Sequence, residues 1–237
     1  MREYVAAERI LIVGMGGLGV PALWALARAG ARRLTIVDPD PVELSNLARQ
    51  VIYRSGDIST PKVEAAARWL VERLPEINVE RHAIALDASN AASLIAAHDF
   101  VIDATDSPVA KFLINDTCVA ARTPFVYGGV VGMTGQAMTV IPTETACIRC
   151  VFETVPDEDE IQSCREAGIV GPVAGAIGEM QAGEAMRAAR AQTLLLSGKI
   201  LTYDASRSSR VRITAVSPRP RCGCGAWRIE SRASQGK

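Results

Sequence analysis

The sequence predicts an α/β protein: a Rossmann-like, doubly wound, mostly parallel sheet that ends in a C-terminal β-hairpin and carries a structural zinc site of four cysteines. Three observations lead there. Short apolar runs alternate with helically spaced apolar residues through the first half of the chain, a strand–helix order that builds parallel sheets. A glycine-rich turn, Gly14-Met15-Gly16-Gly17-Leu18-Gly19, follows the first such run directly. Two close cysteine pairs, Cys147/Cys150 and Cys222/Cys224, stand far apart in the chain.

The elements follow in order. Residues 9–13 form strand one and 20–29 helix one, with Gly30 suited to its C-terminal cap. Residues 33–37 form strand two, ending at Asp38. Residues 39–60 are polar and mixed, and read as short helical turns and loop. Pro61 opens a helix over 61–73, where Val63, Ala66, Ala67 and Leu70 share one face. A modest strand spans 78–83, a short helix 91–97, and a buried strand 100–102 ends at Asp103. A helix is expected over 111–121, and strands over 125–127 and 136–141. The acidic stretch 153–167 reads as a surface loop, and 172–196 as a long Ala-rich helix or helix pair. Residues 199–204 and 210–216 alternate around a Ser-Arg-Ser-Ser turn and predict the hairpin.

Length and charge bound the function. The 237 residues suit one domain over 1–226 with a polar tail over 227–237. The 49% hydrophobic content is ample for its core. Lys plus Arg and Asp plus Glu both number 26, so bulk charge supports neither nucleic-acid nor membrane binding. The N-terminus lacks the apolar core of a signal peptide, and no run is long enough to span a bilayer. A cytoplasmic protein is expected, so its six cysteines call for metal, catalysis or plain packing rather than disulfides.

Two chemistries stand out. Gly14, Gly16 and Gly19 carry the G-x-G-x-x-G spacing, which lets backbone approach a phosphate at a helix start, and Asp38 sits where a carboxylate meets ribose hydroxyls. Alone, this says nucleotide, and an NAD-dependent oxidoreductase is one reading. The cysteines form a C-x-x-C and a C-x-C knuckle, and four thiolates in two close pairs suit tetrahedral zinc. Cys118 lies among apolar neighbours and reads as core. Cys164 lies beside Arg165, a cation that favours thiolate.

In this order and spacing, several segments become specific. They are the glycine turn, Val37–Asp40, Ser45–Gln50, Thr60-Pro61-Lys62, Asp103–Asp106, the two knuckles and Cys164–Pro172. With them the chain resembles the ubiquitin-activating-enzyme-like superfamily, in its bacterial ThiF/MoeB/HesA branch. The resemblance covers nearly everything from Arg9 to about Ala226.

The resemblance implies an adenylyltransferase. The C-terminal glycine carboxylate of a small ubiquitin-like sulfur carrier ending Gly-Gly attacks the α-phosphate of ATP, and pyrophosphate leaves. It implies that Gly14, Gly16, Gly17 and Gly19 cradle the nucleotide and that Asp38 holds the ribose. Asn46, Arg49 and Lys62 face the phosphates, Asp40 and Gln50 complete the nucleotide-binding set, and Asp106 holds Mg²⁺. Cys164 is a candidate for acyl or sulfur transfer. The chemistry agrees, because a carboxylate and a triphosphate repel each other and the site must supply positive charge. Arg offers a fork to phosphate and Lys a point charge. A homodimer and a thiamin, molybdopterin or related sulfur pathway also belong to the implied picture. The alternatives are a non-catalytic zinc-stabilised adaptor for a ubiquitin-fold partner, or adenylation of a peptide or small-molecule carboxylate. Family members carry an arginine before strand one that reaches the partner subunit's phosphates. Here either Arg2 fills that role or the element is missing. Ser107-Pro108 replaces the usual Asn after the metal-binding aspartate. No sulfur-mobilising rhodanese-like domain follows the knuckles, so this chain is not expected to mobilise its own persulfide sulfur.

Overall fold

The computed structural model describes residues 8–155 and 168–226. An eight-stranded sheet in the order β3-β2-β1-β4-β5-β6-β7-β8 runs through them. The strands are β1 (Arg9–Val13), β2 (Arg33–Val37), β3 (Asn78–His82), β4 (Phe100–Asp103), β5 (Phe125–Val131), β6 (Thr134–Val140), β7 (Lys199–Asp204) and β8 (Val211–Ala215). The first five are mutually parallel, and the last three are added antiparallel.

The helices are α1 (Gly19–Arg28), α2 (Lys62–Val71), α3 (Ala91–Ala96), α4 (Pro108–Ala121), α5 (Ile148–Val151) and α6 (Gly171–Ala189). Strand alternation sorts them into two layers. Ile10, Ile12, Ile36 and Ile102 face α1, α2 and α6. Leu11, Val13, Val37 and Val101 face α3, α4 and α5. The central strands are thus buried on both faces, as their unbroken apolar runs require. Order reverses between β1 and β4, and in open sheets of this kind ligands bind beyond the carboxyl ends of the strands at that crevice.

Four elements differ most from the sequence expectation. α4 starts at Pro108 rather than at 111, because Ser107 caps it by accepting from the Ala110 N–H and Pro108 is suited to the first helical position. β5 and β6 are longer than 125–127 and 136–141 and meet in a two-residue turn at Gly132-Met133. Their glycines stand outside the expected strands, yet they mark overlying side chains: Gly128 lies under Gln181 and Gly135 under Ile177, each leaving no room for a Cβ. α6 ends at Ala189, not at 196. The buried Glu184 carboxylate accepts from the Leu195 and Leu196 N–H groups and the Thr139 hydroxyl, folding the chain back onto β6. Of the stretch 153–167, residues 156–167 lie outside the described residues, as does the tail 227–237.

Candidate nucleotide and metal sites

The glycine turn leaves β1 at the crevice. Gly14 has φ +97°, and a Cβ there would lie 2.6 Å from the Ala104 carbonyl oxygen at the end of β4. Only glycine lets these two strand ends close up. A Cβ on Gly19 would strike the Gly14 carbonyl. Gly16 differs, since the nearest atom to a Cβ would be Gln50 Nε2 at 3.6 Å. Gly14 and Gly19 are therefore set by packing, and Gly16 leaves an open approach.

Asp38 ends β2 and is buried. Its carboxylate accepts from the Met15 N–H at 2.6 Å and the Asp40 N–H at 2.9 Å. It therefore holds the glycine turn itself, a job the sequence did not reveal. Two acceptor directions on such a group remain for a hydroxyl or a cation. Burial pushes its pKa up, against the pull of Lys62 and the two N–H donors. Lys62, at the start of α2, is 2.8 Å from Asp40 and 3.7 Å from Asp38, with only 8% of its side chain exposed. Tyr53 donates to the Met15 carbonyl at 2.9 Å and braces the same turn. No motif pointed to Tyr53, and its buried position in a polar stretch is the one signal.

The segment after β2 begins with a 3₁₀ turn at Leu44–Asn46. The Asn46 side chain accepts from the Glu43 N–H, so in this structure it shapes the turn. Arg49 donates to the Ser45 carbonyl at 2.9 Å, and among the described residues no carboxylate pairs with it. Gln50 is buried beside Gly16 and its Oε1 lacks a partner among the described residues. An open glycine and a guanidinium with no carboxylate partner fit a phosphate, and the orphaned Gln50 Oε1, an acceptor, fits a donor such as a ribose hydroxyl or a base amino group.

At the end of β4, Asp103 is fully buried and accepts from the Thr105 N–H and hydroxyl. Lys111 lies 3.4 Å from it, donates to the Gly128 carbonyl and sits over the Tyr127 ring. Asp106, three residues on, is exposed, and its carboxylate makes no hydrogen bond or ion pair among the described residues. Asp103 is thus structural, while Asp106 is free to meet a cation.

On the other face, the four cysteines gather. Cys147 Sγ is 4.0 Å from Cys150 and 3.7 Å from Cys222, and Cys150 is 3.7 Å from Cys224. Tetrahedral zinc with bonds of about 2.3 Å places sulfurs about 3.8 Å apart, so the donor set fits that ion. Cys150 is held below the ordinary thiol range by hydrogen bonds from Cys147 and Cys224 and then by the Arg219 N–H. Left-handed residues Arg221 and Gly225 turn the second knuckle. Arg149 grips Asp116 through two 2.7 Å bonds, docking the first knuckle onto α4. Cys118 is buried in the core as expected. Arg2 and Cys164 lie outside the described residues.

The model of the ThiF family matches residues 2–225. A SAMP-activating enzyme E1 of Haloferax volcanii is 38% identical over 199 residues, covering 84% of this chain and 73% of that protein. A sulfur carrier protein adenylyltransferase of Thermus thermophilus is 35% identical over 230 residues, covering 94% and 84%. An adenylyltransferase and sulfurtransferase MOCS3 of Arabidopsis thaliana is 39% identical, covering 89% of this chain but 45% of its own length. Against such MOCS3 relatives the chain spans about half their length. Among solved structures, Escherichia coli MccB shares the fold at a TM-score of 0.80 and 21% identity, covering 92% of this chain and 67% of MccB.

Proposed function

This chain belongs to the ThiF family, and from that premise we propose that it adenylates the C-terminal glycine carboxylate of a small ubiquitin-like sulfur carrier, consuming ATP and releasing pyrophosphate. The carboxylate oxygen forms a bond to the α-phosphorus, and the bond to the β-phosphate bridging oxygen breaks. The carboxylate is already ionised near neutral pH, so no general base is needed. The enzyme's work is to place two anions together and stabilise the charge that develops between them.

The observation that carries this reading is the set of groups around the crevice. Lys62 opens α2, and Arg49, Gln50 and Asp106 sit on the segments that follow β2 and β4; among the described residues Arg49 has no carboxylate partner, Gln50 Oε1 has no hydrogen-bond donor, and the exposed Asp106 carboxylate makes no hydrogen bond or ion pair. Arg49 and Lys62 meet phosphate oxygens, with Asn46 beside them. Gly14, Gly16, Gly17 and Gly19 line the nucleotide, Asp38 takes a ribose hydroxyl, and Asp40 and Gln50 border it. Asp106 holds Mg²⁺, which neutralises phosphate charge when bound. An NAD-linked oxidoreductase would leave Arg49, Lys62 and Asp106 without a role.

Cys147, Cys150, Cys222 and Cys224 hold one structural zinc, and a cytoplasmic, reducing compartment keeps their thiols available for it. The name of the Thermus thermophilus relative, a sulfur carrier protein adenylyltransferase, supports a carrier partner in a sulfur pathway, for which a Gly-Gly end is our reading. Exposed Leu44, Val51 and Ile58 around the Arg49 segment support a homodimer with the site near its interface. Sedimentation at micromolar concentration tests this, and a lone monomer rejects it. Cys164 is the candidate thiol for a covalent step after adenylation, and unchanged sulfur loading by Cys164→Ser removes it from the mechanism.

The deciding experiment is ATP–pyrophosphate exchange with a panel of Gly-Gly-ended carriers. Exchange with one carrier establishes the reaction. Binding of ATP without exchange moves the reading to a nucleotide-binding adaptor or to another carboxylate substrate, and tight NAD binding without response to ATP overturns it.

A further inference from the structure

We propose that Lys111 is a positioning residue for the metal-binding aspartate, acting through the buried Asp103 rather than on any substrate. The proposal rests on Asp106 holding the divalent cation.

Asp106 stands on a short arch between β4 and α4, and both feet of the arch are fixed. At the first foot, the Asp103 carboxylate accepts from the Thr105 N–H at 3.1 Å and the Thr105 hydroxyl at 2.7 Å. At the second foot, Ser107 caps α4 through the Ala110 N–H. Lys111, in the first turns of α4, ties the feet together. Its Nζ is 3.4 Å from both Asp103 oxygens, donates to the Gly128 carbonyl on β5 and lies 4.8 Å from the Tyr127 ring centroid. The lysine side chain is 12% exposed and the aspartate 0%. Gln181 of α6 donates to the Asp103 backbone carbonyl at 2.7 Å and closes the frame from the opposite layer.

The arch needs this frame because the exposed Asp106 carboxylate makes no hydrogen bond or ion pair among the described residues. A carboxylate without polar partners of its own takes its position from its backbone, and the backbone is held by Lys111 and Asp103. Groups that orient a metal ligand in this way typically set its affinity by about 10–100-fold. Among the described residues the Lys111 ammonium bonds Asp103 and the Gly128 carbonyl and neither the glycine turn nor Lys62, so metal-free ATP affinity should not depend on it.

The test reads Mn²⁺ binding by electron paramagnetic resonance, in the presence of ATP, on the full chain. Lys111→Met alone leaves a buried charge and risks misfolding, so the informative variant is Lys111→Met with Asp103→Asn, which removes both charges and keeps an acceptor for Thr105. Expected is a Mn²⁺ affinity weaker by about tenfold or more, with metal-free ATP affinity unchanged and Lys111→Arg restoring metal binding. A folded double variant that binds Mn²⁺ within twofold of wild type overturns the proposal, because Lys111 then serves only to neutralise Asp103. Should the double variant not fold, Asp103→Asn alone, which leaves the Lys111 ammonium on the Gly128 carbonyl and keeps an acceptor for Thr105, is read by the same two outcomes. Asp106→Ala separates the underlying reading: if it leaves Mn²⁺ binding intact, Asp106 is no metal ligand and the proposal falls with it.

Discussion

The ammonium of Lys62 lies 2.8 Å from the Asp40 carboxylate, a partner that is itself 60% exposed. A buried cation whose nearest partner faces solvent has a displaceable partner. A phosphate oxygen can take the place of Asp40 while Asp38, at 3.7 Å, keeps the lysine in place. Lys62→Met should therefore cut carrier-dependent exchange by about 10²-fold or more, the scale of losing one charge-stabilising group. Asp40→Asn should cost far less. Equal losses in exchange rate for the two would show that Lys62 acts mainly as half of a structural pair.

Asp106→Ala should abolish exchange with little effect on folding. Its exposed carboxylate makes no hydrogen bond or ion pair among the described residues, and such substitutions usually shift stability by no more than about 0.5 kcal/mol. Thermal melts of wild type and variant should coincide. A marked fall in melting temperature would mean that the carboxylate has a structural partner.

Gly14→Ala and Gly16→Ala should fail differently. The first needs a left-handed backbone and drives a methyl into the Ala104 carbonyl, so it should lose more than about 1 kcal/mol of stability. The second meets only Gln50 at 3.6 Å, so it should fold normally and bind ATP more weakly. Normal ATP affinity in folded Gly16→Ala would place the nucleotide elsewhere.

Purified protein should contain one zinc per chain, lost with any of Cys147, Cys150, Cys222 or Cys224→Ser. Chelation should release the segment leading into Cys222 and loosen α5, seen as faster amide exchange there, while β1, β2 and β4 stay protected. Elemental analysis that finds no zinc, together with disulfides between the knuckles, would remove the structural-metal assignment.

Acid should weaken the entry into β1. Asp99 accepts from the Glu8 and Arg9 N–H groups and from the Arg9 guanidinium. Burial pushes its pKa up, but these hydrogen bonds outweigh it and hold the pKa below the usual carboxylate value of 3.8. A depressed carboxylate adds stability above its unfolded pKa and loses it as pH falls through the folded one. Asp99→Asn should therefore cost about 1 kcal/mol near neutral pH, discounted for partial exposure, and nothing once pH is below both values. A penalty that persists in acid would trace to shape rather than charge.

Much of the fold was legible because local signals agreed. Apolar runs at 9–13, 33–37 and 100–102 are buried on both faces and could hardly be anything else. The two knuckles announced themselves by spacing. Where reading failed, long-range contacts had overridden local pattern. The reach of β5 past 127 and of β6 before 136 was not legible, because nothing in sequence shows that Gln181 and Ile177 pack over Gly128 and Gly135. The Ala-rich run past Ala189 looked helical because Glu184 acts on residues eleven and twelve positions later. In the site, Lys62, Arg49 and Asp106 were singled out by the family resemblance, residue by residue, and not by charge or spacing alone. Tyr53, Lys111 and Gln181 carried no motif, and their work depends wholly on which backbone groups the fold brings to them.

Cys147 and Cys222 are 75 positions apart, and the chain between them holds α6, β7 and β8. During synthesis the first knuckle emerges long before the second, so a complete four-sulfur cage exists only once Cys224 has left the ribosome. Until then the nascent chain offers only the Cys147 and Cys150 thiols. A metal held by all four sulfurs would therefore act as a completion mark, closing only on chains made through Cys224, and truncated products should be recognisable by their inability to retain it.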